Sequence, residues 1–428
     1  MRLRQWFEVR GPGFVHRRAF ALLERYGLTP AIAANRVSRL TEVLAGLGCA
    51  VTYPTPGRVV DRYPRFIRGL QEAGAEIAVH GYDHVDLRAY PPRVASEQLA
   101  KAAEAFRRAQ IEAHGFRCPY LACSDELLDA LPKGLFGYSS NKAIWFDAAL
   151  QTTGSSHRGV DEAVRSFYRS ELAENTLCLP ETRFGMLEIP VCVPDDLQLH
   201  DVLGFDAEGV ANVWAELLMA VHQRGELLIL LTHPELASVC EPALVELLRA
   251  ARRLHPVVWI ARLRDIKNWW REKEQFSCAV SPTLDGLHIS FDCTRRATIL
   301  ARGLDQSPRP AWDGRYHQLE GRELDCPAEP RPFIGLPASA PADVASLLRE
   351  QGYILETGEE GIRCGLYLDS ATLAGIHNGV ELVSHVEASE APLVRYWRWP
   401  EAAKSALCVT ADLDALCLVD YASRLLVP

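Results

Sequence analysis

The sequence predicts an α/β fold built on a parallel sheet or barrel, and three features of residues 14–272 carry that prediction. Helical patterns alternate with short apolar runs, the order that βα units impose. Two of those runs, Glu76 to Val79 and Leu227 to Thr232, end abruptly in a histidine, His80 and His233. Ligands bind at that carboxyl end of strands in α/β folds. The helical patterns also stop at glycines, at Gly27, Gly48 and Gly225, as helix termini do.

Taken in order, residues 14–26 place Phe14, Ala19, Leu22, Leu23 and Tyr26 on one helical face before Gly27. A second helix runs through Val37, Leu40, Val43, Leu44 and Leu47 to Gly48. Cys49 to Tyr53 reads as a strand closed by Pro54 and Pro56. A helix over 61–72 leads through Gly74 into the strand that delivers His80. Residues 93–110 form an amphipathic helix with Leu99, Ala103 and Phe106 on one side, and the chain then reaches the turn Arg117-Cys118-Pro119-Tyr120. Leu187 to Val191 reads as one strand running towards Asp195 and Asp196, taken as a solvated loop with substrate contact as the alternative. The helix over 209–224 has the clearest stripe, through Val210, Val213, Trp214, Leu217, Leu218 and Val221. A helix over 242–254, a strand over 257–261 and a helix carrying Trp269 and Trp270 complete the alternation.

Composition narrows the function classes. At 428 residues, 48% apolar and 24% charged, the chain has the length for two or three cores. A net charge of −9 without any long Lys/Arg cluster argues against a nucleic-acid partner. The twelve cysteines include no CxxC pair, so free thiols in a reducing compartment are expected. The most apolar window, Leu227 to Leu231, is far too short to span a bilayer. These readings predict a cytoplasmic protein without a membrane partner.

His80 and His84 together can grip one metal ion, since neutral imidazole is the commonest metal ligand. Two ordinary loop histidines remain the alternative for that spacing alone. Read with the rest, the His80/His84 strand, the Arg117-to-Tyr120 turn and Leu231-Thr232-His233 resemble successive motifs of the polysaccharide deacetylases, carbohydrate esterase family 4. The resemblance covers roughly residues 10–270. It implies a distorted (β/α) barrel and metal-dependent removal of an N- or O-acyl group.

That family's barrel opens with a strand ending in two acids, and nothing before residue 80 supplies it. Residues 405–414, SALCVTADLD, are similar to the Asp-x-Asp form of this motif and end in Asp412 and Asp414. The expected fold is therefore a circularly permuted barrel. Residues 288–293, HISFDC, compete for the same place but offer the single acid Asp292. Side chains two apart on a strand face the same way, so Asp412 and Asp414 can serve one site.

The resemblance implies a divalent metal held by His80, His84 and Asp414, with Zn2+ first and Co2+, Ni2+ or Fe2+ as alternatives. It makes Asp412 the base, His233 the acid and Arg117 the group that orients Asp412. Tyr120, Trp145 and Asp195 are the expected substrate contacts. The expected substrate is a small acylated amine or amino sugar. A hydrolase of non-sugar linear or cyclic amides and a non-catalytic carbohydrate-binding relative are the competing readings. Residues 273–395, rich in proline and short alternating segments, read as a small β-rich or α+β insert covering the sheet end or the cleft. The barrel parts are then residues 1–272 and 396–428.

Overall fold

The computed structural model describes residues 23–147, 165–304 and 312–423. Nine of the twelve strands of its curled sheet make the barrel: β1 (Thr52–Thr55), β2 (Glu76–Val79), β3 (Ala113–Phe116), β4 (Tyr138–Ser139), β5 (Ala143–Trp145), β6 (Met186–Glu188), β7 (Val191–Val193), β8 (Leu227–Thr232) and β9 (Ser405–Ala411). All these ladders are parallel. β8 pairs with β9 from Leu227↔Ala406 to Thr232↔Ala411, and β9 meets β1 at Thr52↔Thr410. β1 pairs with β2, β2 with β3, and β3 with β4. β4 then pairs with β6, β5 with β7, and β7 with β8 at Leu230↔Cys192. Because β4 runs on into β5 and β6 into β7, the ladders return to β8 and the sheet closes as a distorted α/β barrel.

Helix Ala31–Gly46 precedes β1, and Pro92–Arg108, Ala207–Arg224, Ala237–Ala251 and Leu263–Lys273 lie between these strands in the chain. Their apolar faces are buried, and for Ala207–Arg224 they are the six positions of the stripe read from the sequence. Gly225 ends that helix at φ +68, and a Cβ there would lie 2.6 Å from the Trp397 ring, so both conformation and space call for glycine. No helix among the described residues is long and apolar enough to cross a membrane.

Prolines account for most boundary differences. The first strand lies at Thr52–Thr55 and runs through Pro54. Pro54 accepts from Leu413 N on the β9 side at 2.8 Å but has no N–H to return, and the β1–β9 ladder is a single residue pair. The helix expected over 61–72 is two helices, Gly57–Arg62 and Pro64–Glu72. Tyr63, at φ −132 and ψ 46, is pushed out of the helical region by the proline that follows it. Leu187 to Val191 is likewise two strands, parted at Ile189-Pro190. Ala237–Ala251 starts before the expected 242 and keeps Pro242 inside, because its buried face already begins at Ala237 and Cys240. The helix expected over 14–26 falls largely outside the described residues.

Residues 277–396 add three small sheets. Ser277–Pro282, Leu287–Asp292 and Glu323–Cys326 pair antiparallel, as do Ile299–Arg302, His317–Gln318 and Leu393–Tyr396. Arg331–Leu336 pairs parallel with Leu355–Thr357 and Cys364–Tyr367. This part shares one apolar cluster with the amino ends of the barrel strands. Leu227 and Ala406 pack there with Trp269, Trp397, Trp399 and Ile334. It therefore covers the end of the sheet opposite His80. Three buried side chains and one backbone N–H finish that floor: Glu76 accepts from Tyr138 Oη at 2.8 Å, from Thr52 Oγ1 at 2.9 Å and from Arg264 N at 3.0 Å.

Candidate functional site

β2 and β9 bring four of the expected residues together at their carboxyl ends. His80 follows β2, and its N–H donates to Thr55 O at 3.0 Å. Its Nδ1 lies 2.9 Å from Arg117 O, which fixes the ring and leaves Nε2 as the lone-pair nitrogen. Gly81, at φ +70, turns the chain so that His84 comes back beside His80, with ring centroids 5.1 Å apart. His80 Nε2 is 3.5 Å from Asp414 Oδ1, and His84 Nε2 is 3.1 Å from Asp414 Oδ2.

This donor set fits a divalent cation. The three ligand atoms lie within 4.8 Å of one another, and ligands about 2 Å from a shared ion stand roughly 3–3.5 Å apart. His80 Nε2 is fully buried with no hydrogen-bond partner among the described residues. Burial works against charge on Asp414, but His84 and His80 outweigh it and hold its carboxyl well below the usual range.

Asp412 sits two residues before Asp414 and faces the same space, with Oδ2 3.5 Å from His80 Nε2. Its other oxygen, Oδ1, accepts from Arg117 Nη1 at 2.8 Å. Arg117 is fully buried and donates as well to Thr410 Oγ1, Ser140 O and Ser140 Oγ. Removing one partner of such a buried pair costs about 3–5 kcal/mol, because the other charge is then stranded.

His233 follows β8, whose last pair is Thr232↔Ala411, so it stands one strand over from Asp412. Its Nδ1 lies 2.6 Å from Asp196 Oδ1, and its backbone N donates to Asp196 Oδ2 at 2.6 Å. Burial opposes the charged ring, but the Asp196 carboxylate, with help from Glu235 and Asp195, raises the pKa of His233 well above the ordinary histidine value. The imidazole therefore keeps its proton at neutral pH. Asp196 and Asp195 are buried, where the sequence suggested a solvated loop, and the reason is this partner 37 residues away.

The amino-terminal half of this arrangement has relatives. Residues 26–134 match the polysaccharide deacetylase family. His80, His84, Arg117 and Tyr120 lie in the matched stretch, while His233, Asp412 and Asp414 lie beyond it. The peptidoglycan deacetylase-like protein FGM2 of Gibberella zeae is 30% identical over 110 residues, 24% of this chain and 32% of its own length. The match thus spans about a third of that relative. Among solved structures, a protein named as a polysaccharide deacetylase from Mycobacterium smegmatis is 22% identical with a TM-score of 0.44, over 57% of this chain and 79% of that one. The peptidoglycan deacetylase PdaC of Bacillus subtilis is 15% identical with a TM-score of 0.32, over 57% and 89%.

Around these residues, the remaining expected ones part ways. Tyr120, at φ 60, stands edge-on to His84 with centroids 4.6 Å apart and contacts Phe167 at 6.2 Å. Trp145 is fully buried, packed with Leu121, Val191, Val193 and Leu231, so its ring offers no exposed face as a pocket wall. Asp195 accepts from Tyr168 Oη at 2.6 Å and from Gln198 N at 2.7 Å. Burial, reinforced by Asp196 and opposed by His233, pushes its carboxyl up to about 6. Asp292 lies in the antiparallel sheet with Ser277 opposite and is exposed, apart from the His80/His84/Asp414 group.

Cys118, inside the Arg117-to-Tyr120 turn, is fully buried. Burial first, and Cys123 second, push its thiol up, so it carries no thiolate at neutral pH. Iodoacetamide at pH 7 is expected to leave Cys118 unmodified in the folded protein, and Cys118→Ser to retain turnover. Peptide mapping and an activity assay check both. Loss of turnover in Cys118→Ser with metal still bound would instead point to a nucleophilic cysteine.

Proposed function

We propose that the protein is a metal-dependent deacylase that removes an acyl group, N-acetyl foremost, from an amino sugar or a related small acylated amine. The observation that carries this reading is the convergence at one barrel mouth of a His80/His84/Asp414 ligand set, an arginine-held carboxylate and a histidine that keeps its proton. His80 Nε2, His84 Nε2 and Asp414 would hold the divalent ion, zinc first and cobalt, nickel or iron otherwise. When bound, such an ion supplies Lewis acidity towards an acyl oxygen and acidifies water.

Asp412 takes a proton at Oδ2, because Arg117 occupies Oδ1 and fixes the carboxylate plane. His233 gives a proton at Nε2 to the departing nitrogen, which as an amide anion leaves poorly. Asp196 holds Nδ1, so that proton is aimed into the mouth. Tyr120 forms the aromatic wall beside His84.

The same reading makes the barrel a circular permutation, with residues 1–272 and 396–428 as its parts and 273–395 inserted. Two facts support it. β9 lies between β8 and β1, and Leu418 N donates to Gly27 O at 2.9 Å, so the segment after β9 arrives where the helix before β1 begins.

The test is metal analysis of the purified protein with a panel of N-acetylated amino sugars, linear amides and cyclic amides. Metal-dependent release of acetate from the sugars is the expected outcome. Turnover confined to the amides would move the substrate class, and metal-free protein without turnover would leave a binding protein. Within this mechanism, His233→Ala is expected to lower kcat roughly 10²–10⁴-fold while metal stays bound. Asp196→Asn removes the main group that raises the pKa of His233, so burial then prevails and the pKa falls. The alkaline limb of the kcat–pH profile is therefore expected to move to lower pH, and an unmoved limb would remove His233 as the acid.

A further inference from the structure

Beside the metal-type cluster lies a cavity of about 120 Å³ that the mechanism above does not use. A run of ring contacts leads from one to the other. His84 meets Tyr120, Tyr120 meets Phe167 at 6.2 Å, and Phe167 meets Tyr168 at 5.0 Å, with Tyr168 on the cavity wall. Phe167 is half exposed at 51%, so this path is open to solvent.

The cavity's charges are unevenly satisfied. Lys142 is engaged by Glu181 at 3.1 Å and Glu171 at 3.3 Å, and Arg183 by Asp125 at 2.6 Å. Arg88 folds back on Asp86. The Glu188 carboxylate is turned inward, accepting from Ser139 Oγ and from the backbone N–H groups of Asn141 and Lys142. Arg169 is left over: it lines the cavity, is exposed, and has no ion-pair partner among the described residues. Asn141 lines it as well and is only 6% exposed. Its Oδ1 accepts from Cys118 N at 2.7 Å, while Nδ2 is buried with no hydrogen-bond partner among the described residues. A buried donor left unmade is costly, so Nδ2 calls for an acceptor, which water or an arriving ligand oxygen supplies.

We infer that this cavity is a second subsite that binds an anionic oxygen group, carboxylate or phosphate, carried by the acylated amine. Arg169 supplies the charge and Asn141 Nδ2 a hydrogen bond inside the cavity. This rests on the deacylase reading for the identity of the substrate, but the anion site is testable without it. Guanidinium and amide donors suit both anions, so the experiment separates them.

Inorganic phosphate and acetate are titrated calorimetrically into metal-stripped full-length protein, which prevents either from binding at a metal. Saturable binding is expected for at least one of them. Arg169→Gln is expected to weaken it at least tenfold, and Asn141→Asp, which keeps the Cys118 contact but opposes an anion, at least as much. His84→Ala is expected to leave it in place. Arg169 is at the surface, so its substitution reports on the site even if Asn141→Asp disturbs the fold. Binding untouched by Arg169→Gln, or abolished by His84→Ala, overturns the proposal. In kinetics, Arg169→Gln should raise KM for N-acetylglucosamine 6-phosphate at least tenfold more than for N-acetylglucosamine, with kcat for both changed alike. Equal KM shifts for the two would overturn the subsite and leave the deacylase reading standing. Phosphate binding that depends on Arg169 in a protein that deacetylates neither sugar would uphold the anion site while that reading fails.

Discussion

A chain ending at residue 400 is expected to be insoluble or unfolded. β9 has a partner on each edge, with β8 pairing along Ala406 to Ala411 and β1 and Val258–Ile260 sharing the other side. Leu407, Cys408, Val409 and Ala411 are fully buried. Burial of a Leu or Val side chain contributes about 1.5–3 kcal/mol. Removing the strand loses these terms and its ladder bonds, exposes the apolar edge of β8, and strands the Arg117 guanidinium in the interior without Asp412. Against a typical stability of about 5–15 kcal/mol, that sum decides the outcome. Far-UV circular dichroism and sedimentation check it, and a soluble, cooperatively unfolding 1–400 chain would show that the barrel does not need β9. The converse chain, which starts at residue 401 and joins residue 428 to residue 1, is expected to fold. Glu401 is an exposed turn position, and Leu418 and Gly27 are already hydrogen-bonded.

Much of this was legible in the sequence because the signals are local. The run Leu227–Thr232 between a glycine-capped helix and His233 reads as a buried strand, and Asp412 and Asp414 share a face by strand periodicity alone. What escaped depends on partners distant in the chain. Asp196 looks like half of a solvated Asp-Asp pair until His233, 37 residues on, is seen to hold it. Trp145 reads as a pocket wall, but Leu121, Val191, Val193 and Leu231 pack it out of reach of solvent. The position of residues 277–396 follows from Trp397 and Trp399, whose indole nitrogens donate to Lys404 O and Gly225 O at the amino end of the barrel. No periodicity announces those contacts. Arg169 and Asn141 belong to no motif, and only the cavity brings them together.

His80→Ala, His84→Ala and Asp414→Asn are each expected to lose most of the bound metal with little change in fold, whereas Asp412→Asn should keep the metal and lose turnover. The difference follows from position. His80 Nε2, His84 Nε2 and Asp414 present the three mutually close ligand atoms, while Asp412 is turned to Arg117 through Oδ1. Disturbing a group that merely supports a ligand already costs about 10–100-fold in metal affinity, so removing a ligand outright should cost more. Zinc content after dialysis and thermal melts with added zinc give two readouts. At about 100 times Kd a bound ion adds about 2.7 kcal/mol to stability, so the wild type and Asp412→Asn should melt higher with zinc while the ligand variants should not respond. The two acids and both histidines lie in one chain here, so mixing Asp412→Asn with His80→Ala is expected to restore nothing. Recovered activity in that mixture would mean that subunits share the site. Full zinc occupancy in all three ligand variants would mean that the ion, if bound, sits elsewhere, and Asp412 would then lose its role as base with it.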